Sequence, residues 1–135
     1  MDNFSVTILG SSSSLPTANR NLSSQVVHVG SQLFLVDCGE GTQMQLRRHK
    51  FKIQRIDHIF ISHLHGDHYY GLIGLVSTMN MLGRTSELHI HCPSQLQEVI
   101  EMQLKVSDTR LRYPLTFNYL NFVPGEMLFE NDTVS

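Results

Sequence analysis

Residues 59–75 read Ile-Phe-Ile-Ser-His-Leu-His-Gly-Asp-His-Tyr-Tyr-Gly-Leu-Ile-Gly-Leu: an apolar run, four metal-capable side chains within six positions, then a second apolar run. No other stretch restricts the chain as much. A polar cluster this dense belongs on a loop between two buried elements, so the pattern predicts a strand, a metal loop and a helix. If the backbone stays extended past the strand, His63, His65 and Asp67 project to one side, because strand side chains alternate. His68 falls out of phase, and Gly66, free to take positive φ, is expected to turn it back toward the same space. Histidines with one carboxylate and no thiolate suit zinc or a similar divalent ion in a catalytic site, since structural zinc usually recruits cysteine. Asp67 is expected beside the first turn of the following helix, where the macrodipole keeps it ionised, able to bind metal or to accept a proton.

The flanking chain gives those elements their neighbours. Phe4 to Leu9 alternates like a strand, and Gln25–His28 and Gln32–Val36 flank Gly30-Ser31 as a hairpin would. Between them, Ser11–Ser14 and Leu15-Pro16-Thr17-Ala18-Asn19-Arg20-Asn21 read as a loop. Asp37 ends its strand ahead of Gly39-Glu40-Gly41, where a carboxylate ordinarily bonds nearby backbone N–H groups. Thr42 and Gln45 have capping-box spacing, so a helix is expected from there to near Lys50. Ile59-Phe60-Ile61 is continuously apolar, as in a strand covered on both sides. Leu72, Ile73, Leu75, Val76, Met79 and Leu82 predict a helix apolar around most of its circumference, stopped by Gly83. Leu88–Cys92 is a further strand. Ser94 and Gln97 repeat the capping-box spacing before a stripe of Leu96, Val99, Ile100 and Leu104. Leu115–Val123 reads as strand, Pro124-Gly125 as a turn, Met127–Glu130 as a brief strand, and Val134-Ser135 as the entry to another.

Composition narrows the class. At 135 residues with 41% hydrophobic content the chain can bury one core, so residues 1–135 are expected to form a single domain. A net charge of −2 does not announce a nucleic-acid partner, so any RNA contact must be local. Arg47, Arg48, Lys50, Lys52 and Arg55 supply five of the ten basic residues within nine positions. Such a run reads first as a solvated face and second as a phosphate-contacting patch. Cys38 and Cys92 are too few for a disulfide framework, and no run is apolar enough to span a membrane, which together fit a cytoplasmic protein. His89 and His91 alternate on a strand without a carboxylate or turn beside them, and are expected to be structural.

The H-x-H-x-D-H cluster resembles the metallo-β-lactamase superfamily. The flanks Phe34-Leu35-Val36-Asp37-Cys38-Gly39-Glu40-Gly41-Thr42-Gln43, Pro16-x-x-x-Arg20-Asn21 and Gly71-Leu72-x-Gly74-Leu75 resemble ribonuclease Z, the endonuclease that trims the 3′ trailer from precursor tRNA. The resemblance implies an α/β metallo-β-lactamase fold, an αβ/βα sandwich, of which this chain is the N-terminal half: a mostly antiparallel sheet with helices on one face. It implies two zinc ions in the intact enzyme, with His63 and His65 on one, Asp67 and His68 on the other, and Asp67 as catalytic base. Asp37 becomes a supporting carboxylate that orients the metal loop, and Pro16, Arg20 and Asn21 become contacts to the RNA 3′ end. Ala18 stands where the family commonly has lysine. The implied partners are precursor tRNA and a second copy in a homodimer. The family's second half brings further histidines and an aspartate bridging both metals, for which no candidate appears, because no histidine follows His91. The chain alone is therefore expected to be inactive and to hold zinc weakly. Two alternatives are another hydrolase of the superfamily, acting on thioesters, lactones or small phosphodiesters, and a non-catalytic dimerising fragment.

Overall fold

Strands and helices follow one another as β1 (Phe4–Gly10), β2 (Ser24–Val29), β3 (Gln32–Val36), α1 (Thr42–Arg48), β4 (Ile56–Phe60), α2 (Leu72–Met81), β5 (Leu88–Cys92), α3 (Gln95–Val106) and β6 (Leu115–Tyr119). A computed structural model of the chain describes residues 3–121 and 123–132. The strands form one sheet in chain order. β1–β2 and β2–β3 pair antiparallel, whereas β3–β4, β4–β5 and β5–β6 are parallel. The α/β class stands, but the sheet is mixed, not mostly antiparallel as expected. The reason lies in the connections. Gly30-Ser31 is short enough for a hairpin return, while each later link carries a helix, and a parallel neighbour needs a crossover of that kind.

The helices cover one face. Val26, Leu35, Ile59 and Ile90, one from each of four adjacent strands, are fully buried in one cluster with Leu46 of α1, Leu72, Leu75, Val76 and Met79 of α2, and Leu96 and Ile100 of α3. Each such side chain stabilises the fold by about 1.5–3 kcal/mol through the apolar area it removes from water. Val99, assigned to that stripe from spacing, is instead exposed. On the opposite face Phe60 is half-buried and stacks on His91 at 4.3 Å, so β4 is fully covered on the helix side only. Phe129 lies against Phe34, His58, Phe60 and His91. Met127–Glu130 form no strand, and β6 ends at Tyr119 short of Val123. The expected strand entry at Val134-Ser135 lies outside the described residues.

Neither capping box forms. The α1 N-cap is Gly41, Thr42 Oγ1 donates to Gly39 O at 2.7 Å, and Gln45 Nε2 donates to Leu9 O at 2.9 Å, so tertiary partners displace the local ones. Ser94 is already helical (φ −59°, ψ −31°), and the Gln97 side chain bonds Glu101 and Tyr119. The helix ends share one device. In each, a residue in left-handed conformation donates to the carbonyl three back and its successor to the one five back: Lys50 to Arg47 and Phe51 to Leu46, Gly83 to Asn80 and Arg84 to Met79, Asp108 to Lys105 and Thr109 to Leu104. The left-handed φ is 85° at Gly83, 51° at Asp108 and 60° at Lys50. Glycine adopts it freely and aspartate tolerates it, whereas lysine bears about 1–2 kcal/mol.

Arg84, which no local pattern marks, fastens β4 to β5. Its side chain is 1% exposed. Nη1 donates to Gln54 O (3.1 Å) and Ile56 O (3.0 Å), Nε to Ser86 O (2.9 Å), and Nη2 to Glu87 O (2.8 Å) and Asp57 Oδ1 (2.7 Å). The start of β4 is thereby tied to the start of β5.

Candidate metal centre

β4 ends at Phe60, and the chain runs on without regular structure to a single 3₁₀ turn, Gly66–His68, before α2. This turn brings His68 round, with His68 N donating to His65 O at 3.0 Å. Gly66 is not among the glycines with positive φ, contrary to the expectation that it would make the reversal alone. It is needed for room, because a Cβ there would lie 2.1 Å from the Tyr70 ring. Gly39 and Gly71 meet the loop from below: a Cβ on Gly39 would lie 2.7 Å from Asp67 O, and one on Gly71 2.1 Å from Gly39 O. Any larger residue at either would push the turn after β3 away from the metal loop.

Asp37 is the hub. It is buried, has a left-handed φ of 59°, and lies at the end of β3, beside β4. Its Oδ1 accepts from Ser62 N at 2.8 Å and the Ser62 hydroxyl lies 2.9 Å from both oxygens, while Oδ2 accepts from Ser23 Oγ at 3.3 Å and from His68 Nδ1 at 2.7 Å. A carboxylate holding Nδ1–H leaves the His68 Nε2 lone pair free. Ser62 Oγ also lies 3.0 Å from His63 Nδ1. With the serine proton directed to Asp37, His63 Nδ1–H donates to that hydroxyl, and its Nε2 is free in turn.

The cluster is close but not preformed. The His63 ring lies 3.8 Å from the His68 ring and 4.9 Å from the His65 ring, and Asp67 Oδ2 is 3.5 Å from His68 Nε2. Among the described residues no three His, Cys, Asp or Glu side chains already form a group that could hold a metal ion. The donor chemistry nonetheless fits one: free Nε2 atoms on two oriented imidazoles, a third imidazole at His65, and an ionised carboxylate. The Asp67 carboxyl is held below the usual carboxylate range, first by the Ser14 backbone N–H that it accepts at 3.1 Å, and further by the neighbouring His68 and His65 imidazoles and its own backbone N–H, against some desolvation. The serine loop therefore helps to keep it charged, in the first turn of the 3₁₀ segment that leads to α2. Burial pushes the Cys38 thiol up to about 12, which a hydrogen bond with Thr42 offsets only in part and the Asp37 charge reinforces, so it is not a thiolate in the metal-free chain.

The loop before β2 closes one side. Thr17 N donates to Arg20 O and Ser12 N to Asn21 O, both at 2.9 Å, which brings Pro16, Arg20 and Asn21 onto one short, largely exposed excursion. Ser14 takes a left-handed φ of 63° where its N–H reaches Asp67. Asn21 also approaches α1, its Nδ2 lying 2.8 Å from where a Gly41 Cβ would be. A cleft of about 390 Å³ opens between this loop and the metal loop, lined by Gly10, Ser11, Ser12, Ser23, Asp67 and His68 among others. Ile8 and the serines form its walls, with the Asp67 carboxylate and the His68 imidazole at one side. Sequence reasoning missed Ser14, Ser23 and Ser62. Ser62, directly ahead of His63, is the one with a local signal. His89 and His91 stand apart from this cluster, His91 bonded to His58 at 3.0 Å and His89 stacked on His58.

Comparison with known proteins bears on the same residues. The profile of the family described as anti-Pycsar protein Apyc1 matches residues 4–117. A ribonuclease Z of Phocaeicola vulgatus is 45% identical over 135 residues, all of this chain and 44% of that protein. The short form of human tRNase Z superposes with a TM-score of 0.79 at 35% identity, covering 90% of this chain and 47% of the other. The metallo-β-lactamase fold protein YhfI of Bacillus subtilis superposes with a TM-score of 0.69 at 24% identity, over 96% and 49% respectively. The chain thus spans less than half the length of each of these proteins.

Proposed function

The chain belongs to the family described as anti-Pycsar protein Apyc1 and has the metallo-β-lactamase fold it shares with tRNase Z; from that premise we propose that residues 1–135 form the N-terminal, metal-loop half of an endoribonuclease that removes the 3′ trailer from precursor tRNA. The observation that carries the reading is the Asp37–Ser62 network, which ties Nδ1 of both His63 and His68 and leaves their Nε2 atoms free beside an ionised Asp67. Zinc is the ion this donor set suits, with His63 and His65 holding one and Asp67 and His68 a second. When bound, divalent ions polarise the phosphodiester and lower the pKa of water. The chain's own residues orient and carry protons. Asp37 and Ser62 fix the imidazoles, and Asp67 accepts the water proton at a carboxylate oxygen as base. Pro16, Arg20 and Asn21, on the loop that reaches Asp67 through Ser14, receive the RNA 3′ end.

Two ligands per ion leave each zinc short of the three protein ligands usual at a catalytic site, so the chain alone holds metal weakly and does not cleave. A homodimer fits the exposed Met102 and Val106 beside a cleft of about 500 Å³ between α2 and α3; sedimentation of only a 15.4 kDa species at high concentration would remove that part. Two free cysteines fit the reducing cytoplasm. Among the described residues no helix is long and apolar enough to cross a membrane. The test is hydrolysis by the full-length protein. Asp67→Ala loses orders of magnitude on labelled precursor tRNA, Tyr69→Phe loses little, and small phosphodiesters and esters turn over far more slowly than the RNA. Equal losses for the two variants would sink the base assignment, and a preference for the small substrates would move the reading to another hydrolase of this fold.

A further inference from the structure

Residues 41–56 contain no Asp or Glu, and they include Arg47, Arg48, Lys50, Lys52 and Arg55 in a chain whose net charge is −2. Charge is therefore segregated, with the acidic residues elsewhere. Arg47, Arg48, Lys50 and Lys52 are exposed, and among the described residues none of them has a carboxylate partner. Arg48 bonds only the neutral Gln45 side chain, and Arg55 is committed to Ser31 O. The dipole at the C-terminal end of α1 accounts for cations at Arg47 and Arg48. It does not account for Lys52, which lies beyond the helix, or for Lys50. At the position that Gly83 fills after α2 and Asp108 after α3, this helix carries a lysine at φ 60°, a conformation free for glycine, tolerated by aspartate and costly for lysine. A strained residue retained where glycine would relieve the strain points to use of its side chain.

The position gives the use. α1 begins beside Gly39, which packs on Asp67, and its seven residues run about 10 Å along the axis at 1.5 Å each, so that Arg47 and Arg48 in its last turn and Lys50 and Lys52 beyond it lie at least that far from the metal loop. That is about three steps of a stacked strand at 3.4 Å each. Resting on the reading of the site as an RNA phosphodiesterase, we propose that Arg47, Arg48, Lys50 and Lys52 form a phosphate track that holds the RNA backbone as it leaves the metal loop. The contacts are to phosphate oxygens and read no base.

The test measures binding without cleavage: fluorescence anisotropy of labelled precursor tRNA with the 135-residue chain in EDTA across a salt series. Arg47→Gln/Arg48→Gln/Lys52→Gln is expected to weaken binding at least tenfold at about 50 mM salt and to reduce the slope of log K against log salt by about 2–3. Lys50→Gly is expected to raise the urea midpoint while lowering that slope by about 1. The charge-matched control Lys105→Gln/Arg110→Gln/Arg112→Gln, on exposed positions of and after α3, stays within twofold of the unsubstituted chain. The track is overturned if the control loses as much as the triple variant, if Lys50→Gly keeps the original slope, or if the unsubstituted chain binds no RNA. Because the assay contains no metal, loss of hydrolysis in the full-length protein with these slopes intact would count against the phosphodiesterase reading and leave the track standing.

Discussion

Replacing Arg84 with methionine should cost about 3–5 kcal/mol, the range for removing one partner of a buried charged network. The magnitude follows from where the five hydrogen bonds go. Four end on backbone carbonyls, at Gln54, Ile56, Ser86 and Glu87, and only one on a carboxylate, Asp57. Methionine keeps the apolar stem but strands those carbonyls, each at about 1–3 kcal/mol where water cannot replace the donor. The Asp57 side chain is 59% exposed, so Asp57→Asn should cost no more than about 1 kcal/mol, as surface pairs do. Arg84→Lys should fall between, since an ammonium has three donors and cannot reproduce the fork. Urea unfolding of the metal-free chain, followed by circular dichroism at constant m-value, gives the three differences directly. Equal costs for Arg84→Met and Asp57→Asn would refute the reasoning, because they would make the ion pair, and not the carbonyl cluster, the source of the stabilisation.

Asp37→Asn should weaken zinc binding about 10–100-fold, the usual cost of losing a carboxylate that orients a ligating histidine; competition against a chromophoric chelator measures it, and a change under twofold would remove Asp37 from the site. Stability of the metal-free chain should fall as pH drops from about 6.5 toward 4. Burial first, then the His58 and His89 charges, pull His91 down to about 4, and burial first, then His89, likewise depresses His58. A depressed folded-state value means the unfolded chain binds the extra proton across that window, so the stabilisation is present above it and lost on acidification. For His91 this amounts to about 3 kcal/mol at most, and a His91→Asn variant whose urea midpoint declines as steeply with acid would show that other groups are responsible.

The clustering of the histidines and the aspartate was legible because its information is local. His63, His65, Asp67 and His68 lie within six positions between two apolar runs, and that spacing alone restricts them to one loop. Helix and strand positions followed from periodicity for the same reason, and the hairpin at Gly30-Ser31 from its turn chemistry. Strand direction was not local. It depended on which strands become neighbours, and the three helical connections made most pairings parallel. The capping boxes at Thr42 and Ser94 failed for a related reason: side chains with correct spacing found better partners at Gly39, Leu9, Glu101 and Tyr119. Ser14 and Asp67 are 53 residues apart, Asp37 and Ser62 are 25, and Arg84 and Gln54 are 30. Side-chain spacing specifies contacts within one turn or across one hairpin. A buried donor paired with a carbonyl thirty residues away leaves no trace in either residue's neighbours, because its partner exists only once the sheet has brought the two strands together.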